Sequence, residues 1–573
     1  MKLTRLRKTY YTLLFLFFAL LISSYNNIAH GGAILWGGQN LFYFAFFFVT
    51  LSLFYTIASS KNDALNWVEL FAVSAFCLSL LLILWVGAGP LPNDPDSIIS
   101  MHSISFMLEN GFSTARLNSP LFIGATYSLP MQSLLGAVLV LVTNASFITV
   151  AKYLPLILML ILLMIYYALV STRYDERASL LSLVALASFP IVISFASVFN
   201  NVVLGSTFLF LIFLLILMRD SKNRTVLTVL AFVVICSLGL THHLTFVVLL
   251  VLLGVLASNN VLSKRIGAKS YLGGERLNII LLVAITAVLA YYVFAYFGPM
   301  ETFIKTFTSR LGVEVAAPTA ASTWASSVLL QRAGFAVFVI FSIVLSIFAA
   351  KSNLKRFLSS HYVLFLALGV VFFALGIAGA FIGVPFNWDR ISIYGWAFAI
   401  PVTLAILFET RALNRKIVLT ISAFLVATLI LCNLFAIPSN WLDHTGSNEY
   451  TGNSYKDMTK IQEFDSVVWY VKYKTPNSEL AGDEIAGRLF VSNSSNFSGS
   501  FVYIDNYNGS QNGSSVIVRN EDFYQTIHTF SPAPGIQGIV RTTADRDRWN
   551  DIVSSTRLYQ IYDNAEVRVF YTP

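Results

Sequence analysis

Two aspartates, Asp94 and Asp96, carry the clearest chemical signal in this sequence. They stand on either side of Pro95 in a polar stretch that directly follows a long apolar segment. Carboxylates beside a bilayer are costly to keep without a task. We interpret the pair as a general base, or as ligands for Mg²⁺ or Mn²⁺. The alternative is that Asp94-Pro95-Asp96 is only a turn with a helix N-cap.

The residues after Asp96 predict an amphipathic helix that lies along a membrane surface. Its apolar residues recur at helical spacing: Ile98, Met101, Ile104 and Leu108. His102 and Glu109 stand seven residues apart on another face, where they are candidates for substrate binding. The helix dipole favours negative charge at the start of this helix, where the aspartates lie.

A pair of neighbouring histidines, His242 and His243, follows Thr241 between two apolar segments. Adjacent histidines at a membrane surface suit hydrogen bonding to phosphate or to a sugar. They point about 100° apart on a helix, so they would not chelate one metal as an i,i+4 pair does. The alternative is a helix-end histidine with its hydrogen bonds satisfied.

A short predicted turn, 386–390, ends in Asp389 and Arg390. A guanidinium group matches the geometry of phosphate, although Asp389 could simply pair with it. The remaining substrate-binding candidates are cations near outer loops and an asparagine in a predicted turn: Arg116, Arg310, Arg332 and Asn201.

The elements that must position these residues are membrane helices. The chain has 573 residues, of which 56% are hydrophobic and only 12% charged, whereas soluble proteins average about 25% charged residues. Apolar runs long enough to cross a bilayer predict about thirteen spans. They lie near 9–25, 39–59, 66–88, 151–170, 178–197, 202–218, 225–240, 243–257, 277–297, 331–350, 361–384, 391–409 and 416–437.

The segment 131–147 is also apolar, and we interpret it as an interfacial or re-entrant helix. If it spanned the membrane, the basic loop with Arg173 and Arg177 would flip outward, as would every later basic loop. With it excluded, the predicted cytoplasmic loops hold twenty Lys and Arg, and the outer loops hold four. This asymmetry places the N-terminus in the cytoplasm and predicts a multi-pass protein of the plasma membrane.

The charge changes sign at Pro438. Residues 1–437 carry a net charge of +13, in short loops, and residues 438–573 carry −5, so binding to nucleic acid is excluded. We predict a multi-span domain over 1–437, with a catalytic outer loop at 89–150, and an extracytoplasmic mixed α/β domain over 438–573. Alternation predicts strands at 501–505, 515–519 and 566–571, the last in a hairpin with 557–562. Four Asn-x-Ser triplets there suit either a glycosylated surface or a polar loop: Asn493, Asn496, Asn508 and Asn512.

The arrangement over about residues 66–257 resembles the GT-C superfamily of integral-membrane glycosyltransferases. The resemblance rests on Asp94-Pro-Asp96, on the helix that ends in Glu109-Asn-Gly-Phe112, on the interfacial segment 119–147 and on paired helices from 152 to 201. It implies a sugar donor linked to polyprenyl or dolichyl phosphate and a lipid-linked glycan or protein as acceptor. Metal use differs among members, and related oligosaccharyltransferases bind a divalent cation.

Oligosaccharyltransferase catalytic subunits carry a WWDYG motif in the external domain, and this sequence has none, since Trp441, Trp469 and Trp549 stand apart. We therefore expect transfer of a single sugar, with inversion and with Asp94 or Asp96 as the base. The external domain resembles archaeal ones, which implies dolichyl phosphate. The alternative function is a transporter or lipid-glycan flippase, although ionisable groups are nearly absent from the centres of the predicted spans. A non-catalytic scaffold would leave the outer Asp and His clusters without a purpose.

Overall fold

The computed structural model describes ten helices and seven strands, with short stretches within 12–81, 279–290, 340–344 and 469–473. The residues that join neighbouring helices at 144–146, 172–175, 188–189, 196, 199, 218 and 240–242 are described as well, and the rest of the chain is outside the described residues. The helices are α1 Pro95–Asn110, α2 Met131–Thr143, α3 Phe147–Ser171, α4 Glu176–Ala187, α5 Pro190–Phe195, α6 Asn201–Leu217, α7 Arg224–Gly239, α8 His243–Arg265, α9 His361–Ile382 and α10 Trp388–Glu409.

Six of these helices, α3 and α6 to α10, lie where apolar spans are predicted. Two segments, Phe147–Ser171 and His243–Leu262, are long and apolar enough to cross a bilayer by length and composition. The predicted spans at 9–25, 39–59, 66–88, 277–297, 331–350 and 416–437 lie mostly or wholly outside the described residues.

One predicted span, 178–197, is broken into two helices. The helix α4 ends at Ala187, and α5 begins at Pro190 and has six residues. Proline lacks the N–H that would continue the ladder, and its fixed φ suits the first position of a helix. A run of apolar residues therefore predicts burial here correctly, but it does not reveal that the chain turns.

The helix α2 is 13 residues long, well short of the roughly 20 residues that cross a bilayer. It ends at Thr143, and the next residue, Asn144, has a φ of 56°, in the left-handed region. Asparagine tolerates this conformation better than most residues and commonly ends helices. Gly136 faces α1, since a methyl group added there would lie 2.5 Å from Ile104 Cδ1. The helix α2 is therefore a short element packed on α1.

The helix α1 confirms the predicted helix after the aspartates, and three of its serines are buried as well. Met101 and Ile104 are in the core as expected. Ser97, Ser100 and Ser103, at a spacing of three, are buried too. Serine is small, so this stripe lets neighbouring elements approach closely. The helix is thus covered on more of its surface than an amphipathic pattern predicts.

The ends of the helical bundle can be assigned from contacts. Arg173, just after α3, donates from Nη2 to Leu217 O at the end of α6, over 2.7 Å. Tyr174 packs edge-on against His361, the first residue of α9, with ring centroids 4.8 Å apart. The helices α3 and α6 are therefore parallel, and α9 begins where they end. Both helices start at the opposite end of the bundle, which we name the site end.

A proline in α10 is compensated by a tyrosine in α3. Pro401 cannot donate to Ala397 O, four residues earlier, because proline has no N–H. The hydroxyl of Tyr166 donates to that carbonyl instead, over 2.9 Å, and the contact is buried. An unsatisfied carbonyl in an apolar interior is costly. This hydrogen bond therefore ties α3 to α10 in the middle of the bundle.

The strands form a mixed sheet in the C-terminal part of the chain. They are β1 Leu480–Gly482, β2 Phe501–Tyr503, β3 Ser515–Arg519, β4 Ile527–Phe530, β5 Ile539–Thr542, β6 Tyr559–Asp563 and β7 Val567–Tyr571. The five-stranded sheet has the order β2-β1-β3-β7-β6, and β4 pairs with β5 separately. The strands β6 and β7 form the expected antiparallel hairpin. The sequence also predicts helices near 456–473 and 544–555, and most of both segments lies outside the described residues.

The Tyr166–Pro401 pairing can be tested by a double substitution. Tyr166→Phe should lower the apparent Tm of the purified protein in detergent, because it leaves the buried Ala397 carbonyl unsatisfied, at a cost of about 1–3 kcal/mol. Pro401→Ala restores an N–H for that carbonyl. Tyr166→Phe should therefore lower the apparent Tm clearly less in the Pro401→Ala background than in the wild type. Equal losses in both backgrounds would contradict this pairing.

Candidate functional site

The start of α1 is fixed to the segment that precedes α6. The backbone N–H of Phe199 donates to the hydroxyl of Ser97 over 2.7 Å, and this hydrogen bond is buried. Asp96 lies beside Ser97 in the first turn of α1, with Pro95 as the first helical residue. Proline is favoured there because its missing N–H has no partner within the helix anyway. The backbone of Asp96 is therefore held against the start of α6.

The start of α2 lies in the same place. The N–H of Met131, the first residue of α2, donates to Leu240 O over 3.3 Å. One turn later, a methyl group added at Gly136 would lie 3.5 Å from the ring of Phe199. Phe199 therefore contacts both α1 and α2. Leu240, which is bonded to the start of α2, stands two residues before His242.

His242 caps α8. Its Nδ1 accepts a hydrogen bond from the backbone N–H of Thr245 over 3.2 Å and lies 2.7 Å from the Thr245 hydroxyl. A side chain that accepts from the N–H three residues later is the usual arrangement of a helix N-cap. Because Nδ1 accepts, it carries no proton, and the neutral ring has its proton on Nε2. His242 is therefore an Nε2–H donor.

The cap is continued by a chain of buried hydroxyls. The Thr245 hydroxyl lies 3.2 Å from the hydroxyl of Tyr394, which lies 2.8 Å from that of Ser206. Since Thr245 donates to Nδ1, it accepts from Tyr394, and Tyr394 accepts from Ser206. Hydrogen bonds aligned in this way strengthen one another in an apolar interior. The chain joins α6, α8 and α10 around one histidine.

A close approach of α6 to the cap completes the arrangement. A methyl group added at Gly205 would lie 3.0 Å from His242 Cβ and 3.1 Å from Thr245 Oγ1. Glycine is therefore the residue that lets these two helices meet. Asn201, the first residue of α6, lies four residues earlier on the same face, about 6 Å along the axis.

The site end gathers the N-terminal turns of α1, α2, α6, α8 and α10. Each helix N-terminus carries a partial positive charge and N–H groups without a partner inside the helix. Such ends attract anions, and phosphate in particular. With a neutral histidine donor and hydroxyls beside them, they form an environment suited to a phosphate bearing a polar group.

The other predicted site residues fall into three groups. His243 is exposed beside His242, with ring centroids 5.2 Å apart. His102 and Glu109 lie within α1, and their side chains are not described. Asp94, Arg116, Arg310 and Arg332 lie outside the described residues.

Two expectations about local structure are wrong. Asp389 and Arg390 are in the first turn of α10, which begins at Trp388, so they do not lie in a turn between helices. Asn201 begins α6 and is likewise helical. Polar residues at a helix start satisfy the free N–H groups there, so they resemble loop residues in sequence. Because this part of the chain is helical, Arg390 stands one turn before Tyr394 on the same face of α10.

Sequence reasoning missed several residues that organise the site: Ser97, Ser206, Thr245 and Tyr394. Two of them had a usable signal, since Thr245 stands at the capping distance from His242 and Tyr394 stands four residues after Arg390. Ser97 and Ser206 stand in serine-containing apolar runs that look like many others.

Among the side chains that the structure describes, no three His, Cys, Asp or Glu residues come together as they would to hold a metal ion. The carboxylates of Asp94 and Asp96, which are the predicted ligands, are not among those side chains.

No protein-family model matches the sequence. No curated protein matches it either. Solved structures do resemble its fold. ArnT from Cupriavidus metallidurans in the apo state is 11% identical, with a TM-score of 0.49, and the match covers 88% of this chain and 97% of that one.

The second similar structure is the archaeal oligosaccharyltransferase AglB from Archaeoglobus fulgidus, in complex with an inhibitory peptide and a dolichol-phosphate. It is 12% identical, with a TM-score of 0.48, over 84% of this chain and 75% of that one. The A. fulgidus oligosaccharyltransferase with Zn and sulfate has a TM-score of 0.45 at 13% identity, over 79% and 68%. ArnT and AglB are GT-C glycosyltransferases, the superfamily that the sequence resembles.

The hydroxyl chain predicts coupling between Tyr394 and Ser206. Tyr394→Phe and Ser206→Ala should each lower stability by about 1 kcal/mol, and the double variant should lose less than the sum by about 0.5 kcal/mol or more, because both remove the same hydrogen bond. Apparent Tm values in detergent measure this. Thr403→Ala is the matched control. Its hydroxyl donates within α10, to Ala399 O, and takes no part in the Tyr394–Ser206 hydrogen bond, so its effect should add to that of Tyr394→Phe. If the effects of Ser206→Ala and Tyr394→Phe on stability simply added, the hydrogen bond between the two hydroxyls would be refuted.

Proposed function

We propose that this protein is a membrane glycosyltransferase that moves a single sugar from a polyprenyl phosphate, specifically dolichyl phosphate, to an acceptor hydroxyl. The acceptor is a lipid-linked glycan or a protein, and the reaction takes place at the outer face of the plasma membrane. This proposal places the site end of the bundle and the domain 438–573 on the extracytoplasmic side.

The observation that supports the proposal is that the backbone of Asp96, and the residues Asn201 and His242, belong to helix starts that lie close together. A general base, a neutral hydrogen-bond donor and several helix N-termini are what transfer from a phosphate leaving group requires. The predicted cation Arg390 stands at the start of α10, one turn from the hydroxyl chain. Neither a transporter nor a scaffold needs a carboxylate beside a phosphate-binding arrangement.

In the proposed mechanism, Asp96 or Asp94 takes the proton of the acceptor hydroxyl. The acceptor oxygen then forms a bond to the anomeric carbon, while the bond from that carbon to the phosphate oxygen breaks. The configuration at the carbon inverts, and the lipid phosphate leaves with the bonding electrons. The Nε2–H of His242 and the guanidinium of Arg390 stabilise the negative charge on the departing phosphate.

Carboxylate oxygens are the ligands that Mg²⁺ and Mn²⁺ prefer. If the protein uses such an ion, Asp94 and Asp96 are the residues proposed to hold it, and the ion would supply positive charge beside the donor phosphate. The lipid chain of the donor would lie against the apolar helices, which makes membrane lipid the third partner of the protein.

Asp96→Asn tests the base. The substitution keeps the size of the side chain and removes its basicity, so release of lipid phosphate from labelled dolichyl-phosphate sugars should fall by about 100-fold or more. Asp175→Asn is the matched control. Asp175 caps α4, with its Oδ1 2.9 Å from Ala178 N, and asparagine caps equally well. Asp94→Asn should behave like Asp96→Asn. Full activity in both variants would remove this mechanism, and translocation of lipid without release of lipid phosphate would indicate a flippase.

His242→Asn separates the structural and functional roles of that histidine. Asparagine can accept from the Thr245 N–H as an N-cap, so Tm should change little. It cannot present a donor where Nε2 lies, so kcat should fall by about 100-fold. His243→Asn, at the exposed neighbour, should keep most of the activity. Unchanged kcat in His242→Asn would show that the ring serves the helix alone.

A further inference from the structure

Two buried polar side chains lie in the first turn of α2. Gln132 and Ser133 are both fully buried. Within the part of the chain that the structure describes, neither Nε2 nor Oε1 of Gln132 has a hydrogen-bond partner, and neither does the Ser133 hydroxyl. Buried polar groups are nearly always bonded, so each exception calls for a reason.

The contrast with neighbouring groups is direct. The buried hydroxyls of Ser182, Ser188 and Thr207 all donate to carbonyls of their own helices. Gln132 could be replaced by an apolar residue of similar volume without loss of packing. A position that keeps an unbonded amide at a cost in stability is therefore a candidate for binding something else.

The position of these side chains is next to the site. Met131, directly before Gln132, is bonded to Leu240 O, two residues before His242. Gly136, one turn later on the same face as Gln132, contacts Phe199, whose N–H is bonded beside Asp96. Gln132 and Ser133 thus begin a helix that contacts both Phe199, beside the start of α1, and Leu240, two residues before His242.

The chemistry of the two side chains selects the ligand. An amide offers two donors and a carbonyl acceptor, and a hydroxyl both donates and accepts. Phosphate oxygens only accept, so a phosphate would leave Oε1 of Gln132 unbonded. Sugar hydroxyls donate and accept, and they would satisfy all three atoms.

We propose that Gln132 and Ser133 form a subsite for the hydroxyl groups of the transferred sugar. This inference rests on the proposed function, since that function places a sugar beside His242. Gln132 determines which arrangement of sugar hydroxyls can bind, while His242 and Arg390 hold the phosphate of the donor. The subsite therefore contributes to binding of the sugar and leaves binding of the lipid phosphate unaffected.

The test compares Gln132→Met, Ser133→Ala and a matched control. Ser237→Ala removes a hydroxyl that is bonded within α7, to Val233 O. Thermal shifts are measured with dolichyl phosphate and with a panel of dolichyl-phosphate hexoses, together with KM and kcat for the hexose that turns over. Dolichyl phosphate should shift all variants equally. The extra shift from the hexose should disappear in Gln132→Met, with KM raised about 10-fold, and persist in Ser237→Ala. Gln132→Met should keep or raise the Tm of the ligand-free protein, because it removes an unbonded amide.

The outcomes separate the two proposals. If Gln132→Met and Ser133→Ala both keep the extra shift and the KM of the wild type, the subsite is refuted and the proposed function stands. The subsite is also refuted if the hexose adds nothing to the shift from dolichyl phosphate in the wild type. If the wild type responds to neither lipid and releases no lipid phosphate, the proposed function fails, and the subsite fails with it.

Discussion

The constraint on which this structure depends is that polar groups inside an apolar helical bundle must find partners within the protein. No solvent is at hand to bond them, and each unbonded group costs free energy. His242 illustrates the result. Its Nδ1 is occupied by Thr245, whose hydroxyl leads through Tyr394 to Ser206. One imidazole thereby caps α8 and, through side chains alone, fixes that helix relative to α6 and α10.

The same bonds prepare the histidine for chemistry. A ring whose Nδ1 serves the backbone cannot change its tautomer without breaking the cap, so its Nε2–H is fixed as a donor. Groups held in advance stabilise developing charge without reorganising at the moment of reaction. The proposed active site therefore draws its rigidity from helix starts. Gly205 contributes by its lack of a side chain, which lets α6 approach the ring.

The sequence predicts those parts of the fold that follow from periodicity and charge. The long apolar helices lie where hydropathy places them, and the hairpin of β6 and β7 pairs as alternation predicts. Its errors occur where helices begin. Residues that begin a helix have the composition of loops, so Asp389 and Arg390 look like a turn, and Pro190 is hidden inside an apolar run.

The partners of the site residues are a harder problem than their identities. His242 stands out in the sequence, but its connection to Tyr394 depends on how two helices pack and on the rotamers of three side chains. Gln132 stands in an ordinary segment, MQSLLG, and nothing in local spacing indicates that its amide is buried. Such features depend on tertiary packing between distant segments, which one sequence does not encode in any local pattern.

The link between Tyr166 and Pro401 has a consequence for the history of this chain. A proline in the middle of α10 is tolerated because a hydroxyl reaches Ala397 O from a different helix. Replacing Tyr166 first would leave the Ala397 carbonyl without a hydrogen bond, whereas replacing Pro401 first would supply a backbone N–H for that carbonyl. Substitution during evolution should therefore follow a preferred order, and descendants with phenylalanine at the first position should seldom retain proline at the second.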